Sequence, residues 1–440
     1  PGALFATSAL VSAETGCATS DAVAMVGAVG GAAPYSGPGT YMGLTAGSAM
    51  FYVTDANGCT ATFSATLGTP SQPVTNTTQS TSWCTIQDAI DAANPGDVIN
   101  IAAGTYVENV TVDKALTLNG ANAGIDPCSA ARGPETIIVP ASSDPDPYSA
   151  GAVVVVYITA SNVTIDGITV DGDNTALTSG IVTDGADIDA CEGIASYEGV
   201  GHISMVNNIL KNIYYSGMDF YNYNNSGGVT SYNTIDHNAF SNIQHPQFGV
   251  GVIIYNNFYA DVTNNCMSDV RVGVQTGNFY QANSGPSHLI SANTIASSRN
   301  AIFHNLHYGA ASPFTISANT ITTSSGATNN EGIRVTSFSG TASAVISANS
   351  IDGAKYGYDL WNDPTSSTIT ISGGTVTNCQ TGVLANNYDG YASNANSASY
   401  ILDGVSILNA SIAGIHVKDN SLNTNNATVA LAVTNNTSVD

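Results

Sequence analysis

The sequence predicts an all-β chain, most of it a right-handed parallel β-helix. Three observations lead there. The phrase Ile290-Ser291-Ala292-Asn293-Thr294-Ile295 returns over 316–321 and 346–351. It alternates apolar and polar residues, as a strand with one buried face does. The last apolar residues of this phrase and of its weaker copies are Leu210, Phe240, Met267, Ile295, Ile321, Ile351, Val376 and Ile407, spaced by 30, 27, 28, 26, 30, 25 and 31 residues. A repeat at that period means stacked supersecondary units. No repeat carries a long stretch of helical periodicity, so helical and leucine-rich solenoids are excluded.

Residues 1–72 lack this period. They alternate apolar residues between Gly-rich turns, with Asp55-Ala56-Asn57-Gly58 as a turn between two strands. The stretches Gly30 to Tyr35, Leu44 to Gly47 and Val53 to Thr62 resemble the SprB-type repeat, a small immunoglobulin-like β-module of bacterial surface adhesins. That resemblance implies a Cys17–Cys59 disulfide.

Residues 73–83 have linker composition. In the stretch 85–93 that follows, Ile86, Ala89, Ile90 and Ala93 share one helical face, Thr85 is the N-cap and Pro95-Gly96 ends the helix. The β-helix occupies 84–440, with this helix as its N-terminal cap. The helix leads into Val98-Ile99-Asn100-Ile101, Gly104 to Val110 and Leu116 to Gly120. This block is similar to the first coils of the pectin-lyase-like superfamily. A Pro/Asp/Ser-rich excursion follows over 121–150, and Val153 to Ile158 returns to the coil wall.

Within the coils two further columns stand out. Gly precedes an apolar residue at Gly217, Gly249, Gly273, Gly332, Gly357, Gly382 and Gly414, which reads as a tight turn before a second strand. Asn208, Asn238, Asn265, Asn293, Asn319 and Asn349 occupy one repeat position. Stacking makes them an asparagine ladder, each side chain hydrogen-bonding those above and below.

Composition narrows the function classes. The chain has 8 Lys and Arg against 32 Asp and Glu, a formal charge of −24. That balance excludes nucleic acid and anionic membrane surfaces as partners. No apolar run is long enough to span a membrane. Seven Cys in a Ser/Thr/Asn-rich chain suit disulfides and an extracellular, cell-surface location; how Cys84, Cys128, Cys191, Cys266 and Cys379 pair stays open.

The search for chemistry starts from the family. Pectin-lyase-like hydrolases place several Asp around a Gly-His-Gly, whereas here Gly201-His202-Ile203 stands alone. Methylesterases of the superfamily need two Asp and an Arg on neighbouring coils. Gly217-Met218-Asp219-Phe220 is a faint echo of their Gly-x-x-Asp-Phe segment, without the second Asp or the Arg, and no two of the basic residues of the coils belong to an evident Asp cluster. No catalytic set therefore carries over. Asp166, Asp171, Asp173, Asp184, Asp187 and Asp189, with Glu192 after them, are hard oxygen donors at alternating positions, the donor set calcium takes; otherwise no cofactor is expected. His304 and His307 are a weaker metal pair, read as exposed rings in a turn. Tyr221, Tyr223, Tyr259, Tyr280, Tyr308, Trp361 and Tyr388 recur beside Asn after the Gly-apolar strand. They form a candidate stripe for glycans or a protein partner.

The expectation is a non-enzymatic structural or adhesive surface protein. The stretch from Ala427 to Val439 still reads as coil strand, and an unpaired strand edge invites head-to-tail self-assembly or pairing with other surface proteins. The alternative is a polysaccharide-active enzyme, lyase or hydrolase, or a carbohydrate-binding protein on the same scaffold.

Overall fold

The computed structural model describes residues 2–12, 17, 20–45, 47–67, 73–178, 180–183, 185–222, 230–256, 258–278, 288–306, 314–323, 330–337, 344–362, 368–387, 398–418, 429–435 and 438–439. The chain divides into two compact units, Pro1–Asn76 with Ser80–Ala89, and Thr77–Gln79 with Ile90–Asp440.

In the first unit, Phe5–Ser12, Ala22–Val29 and Gly39–Leu44 form an antiparallel sheet, and Gly47–Thr54 pairs with Thr60–Leu67. Alternation buries Ala24, Val26, Phe51, Val53 and Leu67 together. The Asp55 carboxylate accepts from the amides of Ala32, Asn57 and Cys59 at 3.0, 3.0 and 2.9 Å. The Ala32 amide foremost holds this carboxyl below its usual range. The expected Cys17–Cys59 bridge is corrected. Cys17 pairs with Cys84, their Cα atoms 5.5 Å apart, and Cys59 keeps an exposed free thiol just past the turn that Asp55 fixes. Residues 73–83 hold two short strands, Val74–Asn76 and Thr81–Trp83, paired antiparallel. Thr85 Oγ1 accepts from the Asp88 amide at 3.1 Å and caps the helix Ile86–Ala92.

The second unit is a right-handed parallel β-helix with three walls. Ile165, Met205, Ile235, Val262, Ile290, Ile316, Ile346, Ile371 and Leu402 stack in register on the first wall and are fully buried. The second wall carries Leu210, Phe240, Met267, Ile295, Ile321, Ile351, Val376 and Ile407 in one unbroken register. The third stacks Ile194, Met218, Val252, Val274, Ile302, Ile333, Tyr358 and Val383. These columns are the core, and their burial is the main force holding coil on coil.

The repeated phrase is a corner rather than one strand. Ser291 ends a strand on the first wall and Thr294 begins one on the second. Between them Ala292 is left-handed at φ 57°, as are Ala318 and Ala348 at 55° and Asn264 at 54°. The Asn that follows points into the bend. Each side-chain amide donates to the next coil's Oδ1, from Asn208 to Asn238 (3.1 Å), Asn265 (3.0 Å), Asn293 (2.9 Å), Asn319 (3.0 Å) and Asn349 (2.9 Å). It also donates to a carbonyl of the preceding coil, as Asn319 does to Ile290 at 3.0 Å. Every hydrogen-bonding capacity of Asn319 is thereby used inside a dry corner.

Of the Gly column, Gly249 is left-handed at φ 63°, as the expected turn requires, but the others have a different cause. Gly217, Gly273, Gly332, Gly357 and Gly382 are not left-handed. A Cβ on Gly332 would stand 2.5 Å from the Gly357 carbonyl oxygen and 2.5 Å from Ile351 Cγ2. These glycines let neighbouring coils and the second wall's apolar column close up.

Candidate active site

The site grows from the outward side of the third wall. Asp219 lies between Met218 and Phe220, which are both buried in the core, so its side chain leaves the coil on the opposite face. The preceding coil contributes Glu192 at the start of the strand Glu192–Ser196, and in this pairing Glu192 registers with Ser216 and Ala195 with Asp219. Later coils add Tyr255, in register with Tyr221, and Gln275, which donates to the Tyr255 hydroxyl. The excursion supplies the opposite side. Its turn is built by Asp144, which bridges to Ala190 and accepts from Ser149 Oγ at 2.6 Å. Together they enclose a cleft of about 710 Å³, lined by Pro147 to Ala150, Ala152, Val154, Cys191, Glu192, Tyr197, Tyr215, Asp219, Tyr221, Phe248, Tyr255, Asn256 and Gln275.

The two carboxylates are the chemistry-bearing groups. Glu192 is 7% and Asp219 3% exposed. Burial pushes both carboxyls up, Asp219 well above the usual range, and the Glu192 charge raises Asp219 further. The Tyr197 hydroxyl donates to Glu192 Oε2 and pulls its carboxyl back toward the ionised form. Asp219 Oδ1 has no hydrogen-bond partner among the described residues. The two differ in their partners: Glu192 has a donor to its ionised form in Tyr197, whereas Asp219 Oδ1 has none among the described residues. Tyr197 packs against Tyr157 and Tyr221, with ring centroids 5.5 and 4.6 Å away, and builds one aromatic wall. Tyr215 and Phe248, 4.8 Å apart, build another.

A second constellation lies further along the same column. Asp219, Ile253, Gln275, Phe303, Arg334 and Asp359 follow one another in register. Arg334 Nη1 reaches Glu331 Oε1 at 3.2 Å and Nε stands 3.8 Å from Asp359 Oδ2, with its guanidinium over the Phe303 and Trp361 rings. Trp361 Nε1 donates to Asp359 Oδ1 at 2.7 Å. This single Arg between two acids does not register in a search for two basic residues in an Asp cluster. One of those acids is Glu331, three residues before the Arg, so a search for paired Asp passes over it.

The acidic segment is distributed. Asp166 accepts from Asn207 Nδ2 and the Gly124 amide, and Asp171 is ion-paired with Lys211 at 2.8 Å. Asp187 sits in the hairpin of Ile181–Thr183 with Ala186–Ile188. Asp189 is buried and accepts from the Asn174 amide at 3.0 Å. Desolvation, then Asp171, raises the Asp173 carboxyl. Asp184 lies outside the described residues. Among the described residues, no group of three or more His, Cys, Asp or Glu is placed to hold a metal ion. His304 is corrected from an exposed turn residue to a core one, its ring 4.0 Å from Phe314 and its Nδ1 2.6 Å from Thr276 Oγ1. His307 lies outside the described residues.

Of the aromatic stripe, Tyr221 lines the cleft and Trp361 stands over Arg334. Tyr259 is corrected from a surface residue to a buried one, because its strand turns it inward against His288 at 4.8 Å. Tyr223, Tyr280, Tyr308 and Tyr388 lie outside the described residues. Sequence reasoning missed Tyr197, Tyr215 and Tyr255, and grouped Glu192 with the acidic segment. The signals for the site were Tyr221 of the aromatic stripe and the faint methylesterase-like segment Gly217-Met218-Asp219-Phe220.

No family model matches the chain, and no curated protein matches it. Among solved structures it is similar to pectin methylesterase in complex with hexasaccharide VII, at 16% identity and a TM-score of 0.32. That match covers 65% of this chain and 79% of the other. A pectin methylesterase mutant in complex with hexasaccharide IV gives 16% identity and a TM-score of 0.30 over the same shares. These likenesses concern the fold. The expectation of a non-enzymatic structural or adhesive protein is corrected. Here two buried carboxylates share one aromatic-lined cleft. A purely structural coil has no use for such a pair, because burying two like charges costs stability.

Proposed function

We propose that this chain is a polysaccharide-active hydrolase whose acid–base pair is Asp219 and Glu192. The observation that carries the reading is the pairing of two buried carboxyls, both pushed up by burial and only one of them bonded to a tyrosine hydroxyl, in one aromatic-lined cleft. Separation of two titratable groups by their surroundings is how acid and base roles are divided. Asp219, whose Oδ1 has no donor among the described residues, delivers a proton to the glycosidic oxygen as the C–O bond to the anomeric carbon breaks. Glu192, steadied by Tyr197, takes a proton from the water that adds to that carbon. The aromatic walls offer flat apolar faces to sugar rings. The two disulfides, Cys17–Cys84 and Cys128–Cys266, support an oxidising, extracellular setting.

The test is a panel of polysaccharides incubated with the purified chain. New reducing ends without unsaturated termini are the expected product. Unsaturated termini would replace the hydrolase by a lyase. Binding without cleavage across the panel would reduce the protein to a carbohydrate-binding one.

A further inference from the structure

The charges around the cleft carry a conclusion about its ligand. Glu192 and Asp219 are its acidic lining residues, and among the described residues no Lys, Arg or His lines it. The nearby cations are engaged. Arg271 donates to the carbonyls of Gln247 and Phe248, and Lys211 is ion-paired with Asp171 at 2.8 Å. Further along the column, Arg334 is held between Glu331 and Asp359. The chain as a whole carries a formal charge of −24. An anionic sugar entering this cleft would lose its water, meet no cation and face Glu192 as that carboxyl ionises. The remaining lining is tyrosine, phenylalanine and amide, which suits hydroxyl groups and the C–H faces of pyranose rings.

We propose that the substrate is an uncharged polysaccharide and that a polyuronate is rejected. This rests on the reading of the cleft as a polysaccharide site. The discrimination comes from the lack of a cation in the lining and from the Glu192 charge, so removing that charge should weaken it.

The experiment is calorimetric titration of the full chain with five hexasaccharides: gluco-, manno- and xylo-hexaose, hexagalacturonate and the glucosamine hexamer. The expected result is that one neutral probe binds at least about tenfold more tightly than either charged one. Its affinity should be unchanged by added salt. In the Glu192→Gln/Asp219→Asn double variant, with an unchanged circular dichroism spectrum, hexagalacturonate should approach the neutral probe. Tightest binding by a charged probe, or binding by none of the five, would overturn the proposal. Neutral binding without turnover would leave it standing while the hydrolytic reading falls. Turnover of hexagalacturonate alone would do the reverse.

Discussion

At the scale of single residues, two kinds of buried polar group behave in opposite ways. Asn319 is buried with all its partners present, so it stabilises the coil stack. Replacing it with Ala strands the Asn293 and Asn349 side chains and the Ile290 carbonyl, at an expected cost of about 1–3 kcal/mol. Chemical denaturation measures this, and an unchanged midpoint would mean that water replaces the lost partners. Glu192 and Asp219 are buried against their interest. Glu192 is raised from its ordinary 4.5 to about 7, and Asp219 lies well above its ordinary 3.8. The folded state therefore holds protons that the unfolded chain releases. The stability these groups contribute is whole below their ordinary values and lost as pH rises from about 4.5 through about 7. The melting temperature of Asp219→Asn should fall less than that of the parent over that window. Parallel curves would show that the pair is not raised.

At the scale of elements, coils are held by what each position lacks as much as by what it carries. Gly332→Ala would press a methyl into the Gly357 carbonyl and Ile351, with an expected loss of about 1–3 kcal/mol. A melting temperature equal to that of the parent would show that the coils can separate locally. The period was legible in the sequence because stacking returns each apolar anchor to the same wall once per coil. The corner was not. Ala292 continues the apolar–polar alternation while its backbone turns left-handed, so a bend between two walls looks like one strand. The Gly column hid its cause for a related reason, since close approach to the next coil leaves no local signature. The site was the least legible part. Glu192 and Asp219 belong to neighbouring, directly paired strands. Among the described residues their two columns carry acids again only at Glu331 and Asp359, too far apart along the chain to register as a repeat. The excursion with Pro147 to Ala152 that completes the cleft has no counterpart in the period.

At the scale of the whole molecule, the seven cysteines report on both units. Cys59 is exposed, whereas Cys191 and Cys379 are buried, burial pushing the Cys379 thiol up to about 11 and Cys191 higher still. Alkylation of the native protein should label Cys59, reach Cys191 and Cys379 only after unfolding, and reach Cys17, Cys84, Cys128 and Cys266 only after reduction. Peptide mapping reads this out. Protection of Cys59 together with labelling of Cys84 would restore the Cys17–Cys59 pairing that the sequence suggested.

Whether Asp219 and Glu192 do the chemistry is decided most directly by the turnover of isosteric variants. Reducing-end release from the polysaccharide that the parent cleaves should be compared for Asp219→Asn and Glu192→Gln. Each variant should lose about 100- to 10,000-fold in kcat, with the oligosaccharide Kd and the fold retained. Either variant cleaving at the rate of the parent would contradict the assignment of this cleft as the catalytic site.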